Sequence, residues 1–106
     1  MKETDLVRQI IQLLNLRGHL VQRTQSGMVK VTNKYGKHHM MKFAQAGTSD
    51  ITGCSRDGRH IAVECKIRPN KPTELQEQYL EEVRKRGGIA LVAYDLDDIL
   101  RHKDLV

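Results

Sequence analysis

Leu6, Val7, Ile10, Ile11, Leu13 and Leu14 recur at three- and four-residue spacing, which predicts an amphipathic helix over residues 4–17 closed by Gly18. Beyond it the period shortens to two. HLVQRTQ (19–25) and MVKVT (28–32) alternate as strands do, separated by Ser26-Gly27. Asn33, Gly36 and Gly47 punctuate the next stretch with turns, and HMMKFA (39–44) within it suits a short extended piece. Two further strands, 50–54 and 60–67, are joined by Ser55-Arg56-Asp57-Gly58-Arg59, whose Asp-Gly pair is a hairpin signal. Pro72 and Thr73 open a second helix, with Thr73 and Gln76 spaced as a capping box. That helix runs to about Arg86 and stops at Gly87-Gly88. Ile89-Ala90-Leu91-Val92-Ala93-Tyr94 is apolar throughout, as in a strand covered on both faces, and Asp95 to about Lys103 forms a short last helix. The expected fold is one α/β domain over 1–106. It has a mixed central sheet flanked by helices, in the order α-β-β-β-α-β with a short C-terminal helix.

One strand breaks its own pattern. In Ile61-Ala62-Val63-Glu64-Cys65-Lys66-Ile67, the residues Ile61, Val63, Cys65 and Ile67 share one face, with the Cys65 thiol turned into the core as a small hydrophobe. Ala62, Glu64 and Lys66 share the other, the two charged residues about 7 Å apart along the backbone. Asp50, at the start of the partner strand, can bring a second carboxylate to the same point. Two carboxylates a few ångströms apart repel each other, and a hard divalent cation resolves the conflict: oxygen ligands suit Mg²⁺ or Mn²⁺. The competing reading makes Glu64 and Lys66 the water-facing side of a half-exposed hairpin.

Charge sharpens this picture. The net charge is +5, yet no Asp or Glu occurs from Leu6 to Ser49, while Arg8, Arg17, Arg23, Lys30, Lys34, Lys37 and Lys42 all fall there. A basic half beside an acid-rich half is the footprint expected of a polyanion-binding protein, and Arg8, Arg23, Lys30, Lys34, Lys37, Lys42, Arg68 and Lys71 are candidate nucleic-acid contacts. Only four aromatics are present, Tyr35, Phe43, Tyr79 and Tyr94, too few for a single-strand stacking platform. Backbone contacts to duplex or branched DNA fit better. Cys54 and Cys65 lack zinc-type spacing and suit reduced thiols, and no glycine-rich loop calls for a nucleotide cofactor. His38 and His39 are adjacent, so on a strand they point to opposite faces. No stretch has the length of a membrane span, and Met1 to Asp5 lacks a signal-peptide core, so a cytoplasmic protein with no membrane partner is expected.

Gly47-Thr48-Ser49-Asp50-Ile51 followed by Glu64-Cys65-Lys66 resembles the Asp…Glu-x-Lys core of the PD-(D/E)xK nucleases, with Ser49 where that family usually carries proline. Glu3 in the first helix, Gln76 and Tyr79 in the second, and Gly87-Gly88 before an apolar strand are similar to the VRR-NUC domains, the virus-type replication and repair nucleases. The resemblance implies a restriction-endonuclease-like sheet and metal-dependent phosphodiester hydrolysis. Asp50, Glu64 and the Cys65 backbone carbonyl would hold Mg²⁺ or Mn²⁺, and Glu3 would support a second ion. Lys66 and Gln76 would complete the catalytic set. It further implies a homodimer cutting four-way or otherwise branched DNA, of phage or mobile-element origin. Other readings stay open: Glu3 as a helix-dipole complement, Gln76 as a cap, Tyr79 as core packing. For the whole chain the alternatives are a non-catalytic nucleic-acid-binding domain, a nuclease subunit needing a partner, or an interaction protein docking through Glu74, Glu77, Glu81 and Glu82.

Overall fold

The computed structural model describes residues 1–24, 28–42 and 47–105. Helix α1 (Glu3–Leu16) begins where the Asp5 carboxylate accepts the Lys2 backbone N–H at 3.3 Å, and it ends at the C-cap Arg17, one residue before Gly18. Strand β1 (Leu20–Arg23) follows, then β2 (Met28–Thr32), β3 (His38–Lys42), β4 (Ile51–Cys54) and β5 (His60–Cys65). Helix α2 (Glu74–Lys85) crosses over to β6 (Ile89–Ala93), and the single-turn α3 (Leu96–Leu100) comes last.

Five strands therefore separate the two long helices, one at each extended run read from the sequence, against the three in the expected order. The difference lies in where they pair. β1, β4, β5 and β6 make one four-stranded sheet in that order, so its members do run α-β-β-β-α-β. β2 and β3 pair only with each other, as a hairpin inserted between β1 and β4, with Met28 opposite Lys42 and Thr32 opposite His38. Phe43 and Ala44, expected as part of an extended piece, lie outside the described residues, as does the Ser26-Gly27 turn. The radius of gyration is 15.4 Å, against about 13 Å for a compact chain of this length.

The central sheet is mixed: β1–β4 and β4–β5 are antiparallel, while β5–β6 is parallel, which demands the long crossover that α2 supplies. In the β4–β5 connection Ser55 N–H donates to the Arg59 carbonyl at 2.7 Å and Gly58 N–H to the Ser55 carbonyl at 2.9 Å. The Asp57 carboxylate takes hydrogen bonds from the Ser55 hydroxyl and the Arg59 guanidinium, which hold its pKa down to about 2.

Strand alternation divides the core in two. Ile61, Val63 and Cys65 face α1, where Leu6, Ile10 and Leu14 are fully buried with Ile99 of α3. Each such side chain stabilises the fold by roughly 1.5–3 kcal/mol. Ala62 and Ala90 face the other way, under Leu80, Tyr79 and Val83 of α2. Both faces of β6 are thus covered, as its apolar run predicts. His19, buried at one end of β1, accepts the Arg56 N–H on Nδ1 and so donates from Nε2 to the Leu105 carbonyl, both at 3.2 Å, which ties the C-terminal tail to the β4–β5 turn. Among the described residues no helix is long and apolar enough to cross a membrane.

Candidate functional site

At one end of the sheet, the carboxyl ends of β5 and β6 meet the start of β4 and the first turn of α2. Ligands of open α/β sheets bind outside the carboxyl ends of the strands. Asp50 stands one residue before β4, and the register that pairs Ile51 with Val63 carries it opposite Glu64. Thr24 N–H donates to the Asp50 carbonyl at 2.8 Å, which extends the β1–β4 pairing to the same level. The Asp50 carboxylate reaches across the sheet end, and its Oδ2 accepts the Cys65 backbone N–H at 2.9 Å.

Glu64 faces α2 and is 1% exposed. The water-facing reading of this strand is thereby excluded: α2 packs on the face that a lone hairpin would leave open. One oxygen of Glu64, Oε1, accepts from Gln76 Nε2 at 3.2 Å, while Oε2 is buried without a donor. An ionised carboxylate in this setting is costly. Burial, then the hydrogen bond and charge of Asp50, push the Glu64 pKa up to about 8; Lys66 opposes this and Glu3 adds to it. Two neighbouring carboxylates repel when both are ionised, and a proton or a cation on the pair relieves that repulsion.

Gln76 joins the two readings the sequence left open. Its Oε1 accepts the Thr73 N–H at 2.8 Å, and its own N–H donates to Thr73 Oγ1 at 3.2 Å, which is a complete capping box. The amide end opposite the cap contact is then aimed at Glu64. Gln76→Glu separates the roles, since a carboxylate still caps Thr73 but cannot donate. We expect helix α2 to keep its cap while the loss of stability between pH 6 and 9 grows steeper than in the parent, read by urea denaturation across that range. An unchanged pH profile would make Gln76 a cap alone.

Lys66 is half-buried just past β5, its N–H donating to the Ala93 carbonyl at 3.1 Å. The Cys65 carbonyl lies one peptide after Glu64, and the Cys65 thiol points into the core, where burial pushes its pKa up. Glu3, in the first turn of α1, is near enough for its charge to raise the Glu64 pKa. It does not complete a ligand group, because no three His, Cys, Asp or Glu side chains stand together among the described residues. Tyr79 is half-buried against the second core cluster.

The basic candidates do not form one patch. Lys30, Lys34 and Lys37 are exposed on the β2–β3 hairpin, and the Lys42 side chain lies outside the described residues. Arg8 and Arg23 line a shallow cavity of about 410 Å³ beside α1, with Arg8 3.4 Å from the Asp5 carboxylate. Arg68 stacks over the Tyr94 ring at 4.7 Å and pairs with Asp95 at 3.6 Å. Lys71 is exposed in the loop before α2. His38 and His39 sit on opposite faces of β3, and His38 Nδ1 meets the Thr32 hydroxyl at 2.7 Å.

Two features of the site escaped sequence reasoning. Ser49, next to Asp50, is 1% exposed and its hydroxyl has no partner. Thr24 and Thr52 join hydroxyls at 3.0 Å beside Asp50. Alternation puts Thr52 on the Asp50 face, but only the β1–β4 register brings Thr24 to it. No protein-family model matches the chain, and neither a curated protein nor a solved structure does.

Proposed function

We propose that the chain is a metal-dependent DNA endonuclease of the PD-(D/E)xK type, related to the VRR-NUC domains and built on a restriction-endonuclease-like sheet. The observation that carries this reading is the carboxylate pair Asp50–Glu64 at the sheet end, Asp50 half-buried and Glu64 buried with one carboxylate oxygen lacking a donor. The donors are all hard oxygens, which fits a small divalent cation. Asp50, Glu64 and the Cys65 carbonyl would hold Mg²⁺ or Mn²⁺. A bound ion of this kind polarises a phosphoryl oxygen and lowers the pKa of a bound water.

The chain's own residues do the rest. Gln76 fixes the rotation of the Glu64 carboxylate, and the Cys65 N–H fixes that of Asp50. The Lys66 ammonium orients the attacking water or stabilises charge developing on the phosphate. Water adds to phosphorus, the bond to one ester oxygen breaks, and that oxygen leaves with a proton. The basic side chains bind the polymer through its phosphates. Branched DNA such as a four-way junction, cut by a homodimer with two sites related by a two-fold axis, is the substrate this reading favours.

Cleavage of linear duplex, single strand, flap and four-way junction, each with Mg²⁺, Mn²⁺ or EDTA, tests it. Cutting should need the metal and fall about three orders of magnitude in Glu64→Ala, the several kcal/mol that metal ligation contributes to such a transition state. Binding without cutting by either protein under every metal would instead make the chain a non-catalytic binding domain or a subunit awaiting its partner.

A further inference from the structure

We propose that the β2–β3 hairpin is a duplex-DNA arm whose two-stranded ribbon enters the major groove beside the cleavage site. The inference rests on the nuclease reading for its choice of polymer and deepens it by naming B-form duplex as the element gripped.

Three observations carry it. First, the hairpin is rooted at the carboxylate pair. The chain leaves the sheet at Thr24, whose N–H holds the Asp50 carbonyl at 2.8 Å, and is described again from Gly47, three residues before Asp50. Only a few residues of chain on either side join such an arm to the strand ends that carry Asp50.

Second, its charge has no internal answer. Lys30, Lys34 and Lys37 are exposed, and the stretch from Leu6 to Ser49 holds no carboxylate. Among the described residues none of these three lysines forms an ion pair; Lys34 instead lies over the Tyr35 ring at 5.1 Å. Like charges gathered on one ribbon repel one another, and a row of phosphates relieves that repulsion with release of counterions.

Third, the shape fits one groove. Two paired strands of five residues make a ribbon roughly 17 Å long with strands about 4.8 Å apart. The major groove of B-DNA, about 12 Å wide and 8.5 Å deep, admits a two-stranded ribbon, whereas the minor groove at about 6 Å does not. The major groove of duplex RNA is too narrow for side chains to read. The turn at the tip is held firm: Asn33 Oδ1 accepts the N–H groups of Tyr35 and Lys37 at 2.9 and 3.0 Å. Lys30, Thr32, His38 and the 54%-exposed Met40 share one ribbon face, a mixture of cationic, hydrogen-bonding and apolar groups suited to phosphates and base edges.

The test is equilibrium binding of the full chain to a labelled linear duplex in EDTA, where nothing is cut, over a range of salt. Replacing Lys30, Lys34 and Lys37 together by Gln should lower the slope of log affinity against log salt by about 2–3, and weaken binding on the order of 10²-fold at 0.1 M salt. The same charge removed elsewhere, by Lys85→Gln, Arg86→Gln and Lys103→Gln, should leave the slope within one of the parent value. A slope unchanged in the hairpin variant, or lowered equally in the control, overturns the arm. Parent protein should also bind duplex DNA at least 10-fold more tightly than duplex RNA of the same sequence, and equal affinities overturn groove entry. Failure here is distinct from failure of the nuclease reading, because these measurements use neither metal nor Glu64. A chain that binds duplex as expected but never cuts keeps its arm and loses its activity; one that cuts with an unchanged slope does the reverse.

Discussion

Glu64→Gln is expected to raise stability at pH 9 by on the order of 3–5 kcal/mol in EDTA and to leave it nearly unchanged at pH 4. The sign follows from the direction of the shift. Burial and the Asp50 carboxylate lift the Glu64 pKa from an ordinary 4.5 to about 8, so the folded chain holds this proton more tightly than the unfolded one. Stability from such a group is fully present below the unfolded value, declines as pH rises from about 4.5, and is lost above about 8. Glutamine keeps the shape, never ionises, and escapes the loss. Urea unfolding of both proteins from pH 4 to 9 checks this, since titrating groups remote from Glu64 are common to the two and cancel in the difference, which leaves Glu64 and the charges coupled to it. Parallel curves would mean that Glu64 is better solvated than its 1% exposure implies. The same experiment with Mg²⁺ or Mn²⁺ tests the ligand set without reference to activity. An ion that binds the ionised pair restores parent stability at high pH, by roughly 2.7 kcal/mol at a hundredfold excess over its dissociation constant, and does nothing comparable for Glu64→Gln.

Gly47→Ala is expected to cost about 2–4 kcal/mol and to disable the site from a distance. Gly47 has φ +85, in the left-handed region where an L side chain costs roughly 1–2 kcal/mol. The added Cβ would also stand 2.6 Å from the Leu75 carbonyl oxygen and 2.8 Å from its carbon, atoms of backbone that cannot swing aside. Either the segment leading to Asp50 or the first turn of α2 must move. Both displace the site, for Asp50 lies three residues after Gly47 and Gln76 directly after Leu75. Gly36→Ala supplies the comparison: its φ is +79, but nothing lies within 4 Å of the added atom, so it carries the conformational cost alone. Thermal unfolding of the two variants, with cleavage rates beside it, separates contact from conformation. Equal costs, with the Gly47 variant still cutting at the parent rate, would reduce Gly47 to a turn residue.

The acids of α2 bear on the interaction-protein reading. Glu81 pairs with Arg84 at 3.4 Å, and Glu82 pairs with Lys85 and Arg86 at 3.4 and 2.9 Å. Such exposed helical pairs contribute a few tenths of a kcal/mol each. They partly neutralise the face that would have to attract a basic partner, which leaves the basic hairpin as the more strongly charged surface.

Periodicity along the chain determined the elements and their faces. The spacing of Leu6, Ile10 and Leu14 made α1, Thr73 and Gln76 capped α2, Asp57-Gly58 turned β4 into β5, and alternation put Glu64 on the face opposite Val63 and Cys65. These are local matters, settled by backbone geometry within a few residues. What covers each face was decided by packing between distant segments. The burial of Glu64 depends on α2, and the gift of its one donor depends on Gln76, twelve residues on. The second carboxylate comes across the β4–β5 register, and Gly47 matters because Leu75 lies against it. The β2–β3 run alternates like any strand pair, yet it forms its own two-stranded sheet, a choice of partner that alternation alone does not specify. A residue's type and spacing determine which way its side chain points; the solvent or charge it meets there depends on the rest of the fold.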